Sequence, residues 1–229
     1  MGLRQIFLRF HGCNLGCAYC DTDITQAPSF CRMEMTPGRR DFIDVINPVP
    51  LDRLVSLLGA WSRGWPGIHH SISITGGEPL LNLEILLEWL PKFRKIFPIY
   101  LETNGVLHEA LYRLINMLDY ISMDIKIPST SGCRDLWELH REFLRIAVEK
   151  HVFVKIVTSD ATEEWEIERA VRTVAGVSRD IPVILQPVTL KNGSVGIAPL
   201  RILEFQEIAC NFVTEVRIIP QTHKFTGQI

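Results

Sequence analysis

The chain has 229 residues, 47% of them hydrophobic and 22% charged, which suits one large α/β domain that spans residues 1–229 and buries a substantial core. Lysine and arginine number 24 against 26 aspartate and glutamate residues, and this balance argues against a protein that mainly binds nucleic acid. No apolar stretch approaches the ~20 residues of a membrane-spanning helix, and the first residues lack a secretory signal, so we expect a cytoplasmic protein.

Short β-rich runs alternate with longer amphipathic segments along the chain. The predicted strands cover residues 5–10, 71–75, 99–102, 120–126, 152–158, 183–187 and 215–219. The predicted helices cover residues 51–63, 83–97, 106–118, 135–150, 162–174 and 199–212. Such alternation predicts βαβ units with right-handed crossovers and a parallel sheet. Since about six repeats are too few to close an eight-stranded barrel, the sequence predicts a single-domain open partial (β/α)6 barrel.

Residues 24–50 interrupt this alternation. The segment contains several prolines and mixed charges, and we interpret it as a long loop insertion. Loops of this length within compact domains are usually functional or mobile.

Three cysteines lie within eight residues, directly after the first predicted strand. They are Cys13, Cys17 and Cys20, in the spacing C-x3-C-x2-C. Because cysteine thiolates hold iron–sulfur clusters, three thiols on one tight loop favour a cluster of this kind. A four-iron cluster with three protein ligands leaves one iron open, where a small molecule could be chelated.

Two other roles for the cysteines are less favoured. A structural zinc ion takes four ligands, and a second cysteine pair is missing here, although His11 or Cys31 could supply a fourth ligand. Disulfides are disfavoured because no secretory signal is present. We expect Cys31, Cys133 and Cys210 to be plain thiols in a reducing compartment.

Polar residues follow several of the predicted strands at the same end. Residues 75–79 read Thr-Gly-Gly-Glu-Pro, residues 102–105 read Glu-Thr-Asn-Gly, residues 124–126 read Asp-Ile-Lys, and residues 186–189 read Gln-Pro-Val-Thr. Adjacent glycines allow a ligand to approach the backbone closely, although the same residues could form an ordinary strand-to-helix turn. Because active residues of such barrels lie at the carboxyl ends of the strands, we expect one polar site there.

The cysteine spacing, followed by Thr-Gly-Gly-Glu-Pro, resembles the radical S-adenosylmethionine (SAM) superfamily, and the resemblance spans nearly the whole chain. Residues 9–15, 20–22, 186–189 and 220–224 further resemble the 7-carboxy-7-deazaguanine synthase family. This second resemblance implies a lyase that converts 6-carboxy-5,6,7,8-tetrahydropterin to 7-carboxy-7-deazaguanine, on the route to queuosine. In that reaction a 5′-deoxyadenosyl radical abstracts a hydrogen atom from C6 of the pterin, and ammonia is lost.

The resemblance also implies cofactors and roles for particular residues. Cys13, Cys17 and Cys20 match the ligands of a [4Fe–4S] cluster, and Thr22 matches a Mg²⁺ ligand. Residues that match SAM contacts are Tyr19, Asp21, Gly77, Asp124, Ile125, Lys126, Gln186, Pro187, Val188 and Thr189. Arg9, Thr75 and the terminal carboxylate of Ile229 match the pterin site. A flavodoxin or ferredoxin is the expected electron donor, and relatives are often homodimers.

Several departures and alternatives accompany the resemblance. Family members usually carry a Gln-Gly-Glu-Gly segment before the strand of Arg9, which this chain lacks, and the insertion at 24–50 is a second departure. The tail at 221–229 is expected to be too short for another helix. A glycyl-radical activating enzyme stays open, although its loop tends to read Cys-His-Asn where this chain reads Cys20-Asp21-Thr22. A non-enzymatic zinc or iron–sulfur module is the other alternative.

Overall fold

The structure is a computed structural model that describes residues 2–23 and 25–227, apart from the side chain of Phe225. Seven strands belong to one sheet and two form a separate small sheet. The chain is divided into two compact units, each made of several segments. The first unit contains residues 1–14, 22–102 and 116–120, and the second contains residues 15–21, 103–115 and 121–229.

The first unit contains five strands and two longer helices. Its elements are β1 (Gln5–Phe10), β2 (Phe30–Glu34), β3 (Phe42–Ile46), α1 (Leu51–Gly64), β4 (Ser71–Gly76), α2 (Leu83–Phe93) and β5 (Ile99–Thr103), whose last residue falls in the second unit. Strand β4 runs parallel to β1 on one side and to β5 on the other. Its residues from Ser71 to Thr75 are all buried, as expected for a strand covered on both faces.

The second unit continues the alternation of helices and strands. Its elements are α3 (His108–Leu114), β6 (Tyr120–Ile125), α4 (Pro128–Ser131), α5 (Trp137–Ala147), β7 (His151–Thr158), α6 (Glu164–Ala175), β8 (Val183–Pro187), α7 (Pro199–Cys210), β9 (Val216–Ile218) and α8 (Thr222–Thr226). Tyr120, the first residue of β6, falls in the first unit. Strand β8 pairs in parallel with β7 and with β9. Fully buried side chains such as Phe143, Val171 and Phe205 form its core.

The seven predicted strands of the sheet are confirmed, with bounds that differ by at most one residue at either end. The six predicted helices are present too, and several are shorter than predicted. The second predicted helix ends at Phe93 rather than at residue 97, and Pro91 lies in its last turn. Within the described part of the chain, no helix is long and apolar enough to cross a membrane.

The prediction of a long loop at 24–50 is wrong for part of that segment. Strands β2 and β3 form an antiparallel hairpin there, with Met33 opposite Ile43 and Cys31 opposite Val45. Met33 and Val45 are buried, whereas the residues that alternate with them are polar or exposed. This period of two was obscured in the sequence by charged residues and by the surrounding prolines.

The tail also differs from the expectation. Residues Thr222–Thr226 form the short helix α8, although the tail was expected to be too short for one. Gly227 ends the helix with φ +63°, in the left-handed conformation that glycine adopts without a steric penalty. A single helical turn of this kind needs few residues once a glycine is available to stop it.

Candidate active site

In the first unit, three neighbouring parallel strands end in polar side chains. Arg9 of β1 lies opposite Thr75 of β4, and Glu102 of β5 follows Leu101, whose partner on β4 is Ile74. The Thr75 hydroxyl donates to Glu102 Oε2 at 3.1 Å, and the Ser73 hydroxyl lies 3.5 Å from Oε1. Arg9 is exposed and Thr75 is buried. We call Arg9, Thr75 and Glu102 the strand-end row.

The glycine pair after β4 allows two backbone segments of the first unit to meet. A Cβ atom at Gly76 would lie 2.0 Å from the Phe10 carbonyl oxygen, and one at Gly77 would lie 2.2 Å from that of Gly12. The backbone N–H of Glu78 donates to the Gly12 carbonyl at 2.8 Å. No other residue type could occupy either glycine position without moving the backbone that leads to Cys13.

The second unit contains the rest of the cysteine loop. The Cys20 N–H donates to the Cys17 carbonyl at 3.0 Å, and the Ala18 N–H donates to the Ser131 carbonyl at 2.8 Å. Cys17 Sγ lies 3.7 Å from Sγ of Cys133, a contact that the sequence did not predict. Burial raises the pKa of the Cys17 thiol to about 12, although the Lys126 ammonium acts to lower it.

A largely buried carboxylate lies between two lysines at the end of β6. Lys126 Nζ is 2.8 Å from Asp124 Oδ2, and Lys155 Nζ of β7 is 3.0 Å from Oδ1. Burial acts to raise the pKa of Asp124, but the two ammonium groups outweigh it and hold that pKa below its usual range. Lys126 also lies 5.6 Å from the centre of the Tyr19 ring. We call Asp124, Lys126 and Lys155 the lysine–aspartate triad.

A buried histidine fixes the backbone at this triad. His140 Nε2 accepts from the Lys126 N–H at 3.1 Å, and Nδ1 lies 3.0 Å from the Gly105 carbonyl. These partners assign the proton to Nδ1. Burial lowers the pKa of His140 to about 4, so the ring is neutral at pH 7.

The end of β8 is held mainly by backbone contacts. Gln186 and Pro187 lie opposite Val157 and Thr158 of β7. The Val188 N–H donates to the Thr158 carbonyl at 2.9 Å, and Thr189 forms an isolated bridge with Val195. Strand pairing and backbone hydrogen bonds therefore hold residues 186–189 in place.

Asp21 connects the cysteine loop with the tail. Its carboxylate lies 3.2 Å from Lys224 Nζ and 3.9 Å from His223 Nε2, both in α8. Thr22 lies in the first unit and is half-buried. Ile229 lies outside the described residues, so its predicted role stays a prediction.

Some of the predicted site residues are in contact with one another in the structure. Within each unit, the structure joins Arg9 with Thr75, Gly77 with the backbone before Cys13, and Tyr19 with Lys126 and Asp124. Among residues 2–23 and 25–227, no three His, Cys, Asp or Glu side chains are grouped to hold a metal ion. The thiols of Cys13, Cys17 and Cys20 nevertheless are the sulfur donors that iron–sulfur clusters use.

Comparison with known proteins decides the family. The sequence model of the Radical SAM superfamily matches residues 7–159. The chain is 60% identical to the 7-carboxy-7-deazaguanine synthase of Geobacter sulfurreducens, over 100% of this chain and 92% of the relative. This chain belongs to the 7-carboxy-7-deazaguanine synthase family of radical SAM enzymes. The synthase of Methanothermobacter thermautotrophicus is 32% identical, over 99% of this chain and 91% of its own length.

A solved structure supports the fold. A radical SAM methyltransferase from Sphaerobacter thermophilus matches with a TM-score of 0.60 and 15% identity, over 94% of this chain and 65% of that one. The predicted α/β fold of the radical SAM type is confirmed. The assignment of residues 1–229 to one domain stays a prediction. Because the chain belongs to a family of enzymes, the alternative of a non-enzymatic metal-binding module is discarded.

Sequence reasoning missed several residues of the site. Glu102 was recognised only as a polar strand end, and the contacts of Cys133 and His140 came from pairings distant in the chain. Lys155 carried a usable signal, because it is a charged residue between the buried Val154 and Ile156 in a largely apolar strand. A charge at such a position requires a partner, which Asp124 supplies.

Proposed function

We propose that this protein is a radical SAM lyase that converts 6-carboxy-5,6,7,8-tetrahydropterin to 7-carboxy-7-deazaguanine, in the biosynthesis of queuosine. The observation that carries this proposal is 60% identity to a synthase of that name along the whole chain. The strand-end row adds support, since it presents a cation, a hydroxyl and a carboxylate together. A pterin with a carboxylate and several ring N–H groups needs partners of these kinds.

Membership in the superfamily implies a [4Fe–4S] cluster and SAM. We assign Cys13, Cys17 and Cys20 as the cluster ligands. When bound, the reduced cluster supplies the electron that cleaves SAM to a 5′-deoxyadenosyl radical. Burial disfavours a free thiolate at Cys17, so the charge of that ligand must be balanced by iron and by the nearby Lys126.

The residues that we assign to SAM divide into two groups. Gly77 leaves room at a crowded turn, whereas Asp124, Ile125 and Lys126 form the end of β6. Tyr19, Asp21 and residues 186–189 complete the set. Ion pairing and backbone hydrogen bonds hold most of these residues before any ligand arrives, so little ordering entropy remains to be lost on binding.

Arg9 and Thr75 are our candidates for pterin binding, together with the carboxylate of Ile229. The exposed guanidinium of Arg9 can form two parallel hydrogen bonds to the substrate carboxylate. Thr75 is buried beside it and is fixed by its bond to Glu102. This arrangement orients the substrate by its carboxylate end.

Three further assignments belong to the same proposal. The hydroxyl of Thr22 is a hard oxygen ligand suited to Mg²⁺. A flavodoxin or ferredoxin supplies the low-potential electron, and the active form is a homodimer. We assign a cytoplasmic location, since Cys31, Cys133 and Cys210 are expected to be plain thiols, which persist in a reducing compartment.

Mass spectrometry of the products tests the proposed function. The protein is reconstituted with iron and sulfide and is incubated without oxygen with the carboxytetrahydropterin, SAM, Mg²⁺ and dithionite. We expect 7-carboxy-7-deazaguanine and 5′-deoxyadenosine to form together, and neither to form without SAM. Formation of 5′-deoxyadenosine without any deazaguanine product would show that the substrate assignment is wrong.

A further inference from the structure

Glu102 supplies the carboxylate of the strand-end row, and no particular group of the pterin has been assigned to it. It lies at the end of β5, one step beyond the paired residues Ile74 and Leu101, and its neighbour on β4 is therefore Thr75. Thr75 in turn lies opposite Arg9 of β1. Side chains that are adjacent in a parallel register point to the same face of the sheet, so all three residues of the strand-end row face one side.

The hydrogen bonds of Glu102 leave part of its carboxylate available. The Thr75 and Ser73 hydroxyls both reach this carboxylate. An ionised carboxylate accepts at about four lone-pair positions, and the Ser73 contact at 3.5 Å is at the long limit for a hydrogen bond. Two neutral hydroxyls therefore hold the group in place without neutralising its charge.

The spacing of the row matches the length of a pterin. Arg9 and Glu102 are separated by two interstrand distances, about 10 Å between their Cα atoms, which is on the order of the length of a fused two-ring ligand. If Arg9 holds the carboxylate on C6, the far edge of the ring system points towards β5. That edge carries two donors side by side, the 2-amino group and N3–H.

We propose that Glu102 is a specificity residue that accepts two parallel hydrogen bonds from the 2-amino group and N3–H of the pterin. This inference rests on the proposed function, and it names the ring edge that the site recognises. Because Thr75 donates its proton to Glu102, the Thr75 oxygen is left as an acceptor towards the ligand. The strand-end row then contacts the substrate along its length, with Arg9 at the carboxylate and Glu102 at the amino edge.

A pair of fluorescent ligands tests this proposal. In 6-carboxylumazine the 2-amino group of 6-carboxypterin is replaced by a carbonyl, which would face the Glu102 carboxylate without a donor. The dissociation constants of both ligands are measured by fluorescence without oxygen, on the reconstituted enzyme with SAM bound. We expect the wild-type protein to bind 6-carboxypterin at least tenfold more tightly, on the scale of one charge-assisted contact.

The Glu102→Gln variant should change this preference in a specific way. The amide can accept from N3–H and donate to the lumazine carbonyl, so we expect weaker binding of 6-carboxypterin and tighter binding of 6-carboxylumazine. The ratio of the two constants should fall at least tenfold. Glu88→Gln, the same change at an exposed position of α2, should keep the wild-type ratio.

Two results would overturn the proposal. If Glu102 serves only to hold Thr75, both ligands will weaken equally in Glu102→Gln and their ratio will not change. A wild-type protein that binds the two ligands equally would refute it without reference to any variant. Failure of the proposed function is distinguishable, because the wild-type enzyme would then form no deazaguanine product, whereas failure of this proposal alone leaves product formation intact.

Discussion

The strand-end charges of the two units are satisfied in opposite ways. In the second unit, the carboxylate of Asp124 is paired with Lys126 and Lys155, and all three side chains are largely buried. In the first unit, Arg9 is exposed, and Glu102 meets neutral hydroxyls within the part of the chain that the structure describes. The charges of the lysine–aspartate triad are paired within the protein, and we propose that those of the strand-end row pair with a ligand.

This difference separates stability from recognition. A buried ion pair loses its hydration when the protein folds, so removing one partner leaves an uncompensated charge and lowers the free energy of unfolding. A charge that a ligand pairs contributes little to folding but changes affinity and specificity. Substitutions in the triad should therefore appear in unfolding experiments, and substitutions in the row should appear in ligand binding.

The largest expected effect concerns the cysteine loop. Cys17→Ala removes one of three proposed cluster ligands, so we expect the [4Fe–4S] cluster and SAM cleavage to be lost. Cys133→Ala is a matched control, because its sulfur lies only 3.7 Å from that of Cys17 and has no assigned iron. Iron content, visible absorbance and release of 5′-deoxyadenosine measure both outcomes. A full cluster in Cys17→Ala, or its loss only in Cys133→Ala, would reverse the assignment.

The second prediction tests the contribution of the lysine–aspartate triad to stability. Asp124→Asn keeps the shape of the side chain but leaves Lys126 and Lys155 without their carboxylate. We expect the free energy of unfolding to fall by about 4 kcal/mol, as when a buried pair is broken. Arg9→Ala, at an exposed position, should change it by no more than about 0.5 kcal/mol. Urea unfolding of both variants checks this, and similar losses in the two would remove the distinction between the units.

The same comparison explains which parts of the molecule the sequence could predict. Strand β8 (Val183–Pro187) was predicted with its observed bounds. Four of its five residues are buried, and a short, mainly apolar run is typical of a parallel strand that is covered on both faces. The hairpin of β2 and β3 was missed, since only Met33 and Val45 are buried and the other face mixes charged residues with exposed apolar ones. The hydrophobic pattern of a segment therefore predicts a strand best where both faces of that strand are buried.

Site residues follow a different rule. Arg9, Thr75 and the cysteines were predicted because motifs place them close together in the chain or at strand ends. Lys155 and His140 act through partners that are 31 and 14 residues away, namely Asp124 and the backbone of Lys126, and no local pattern encodes such pairings. Their positions depend on the register of the folded sheet and on helix packing.

The third prediction concerns pH. The pKa of His140 is lowered to about 4 by burial, against an ordinary value of 6.5. Between these values the unfolded chain binds a proton that the folded chain does not, so stability is complete above pH 6.5 and falls as the pH decreases towards 4. The loss from this group approaches about 3 kcal/mol at the lower limit.

Replacement of His140 checks that assignment. His140→Gln should unfold with a weaker pH dependence between pH 6.5 and 4 than the wild-type protein, whatever its stability at pH 7. His151→Gln, at an exposed position, should keep the wild-type dependence. Urea midpoints at several pH values provide the comparison. An unchanged slope in His140→Gln would show that other groups, such as carboxylates, account for the acid sensitivity.

The smallest predicted effect concerns Arg9, which lies at the opposite end of the strand-end row from Glu102. Arg9→Lys keeps the positive charge but replaces a planar fork of donors with a single ammonium, so two parallel hydrogen bonds to a carboxylate are no longer available. We expect affinity for 6-carboxypterin to fall about tenfold, which corresponds to about 1.4 kcal/mol. Pterin itself has no carboxylate, and its weaker binding should be the same in both proteins. Because the ammonium retains the long-range attraction, the difference between the two ligands isolates the geometry of the guanidinium. Equal weakening of both ligands would place Arg9 outside the carboxylate site, and the substrate would then have to lie in another orientation along the row.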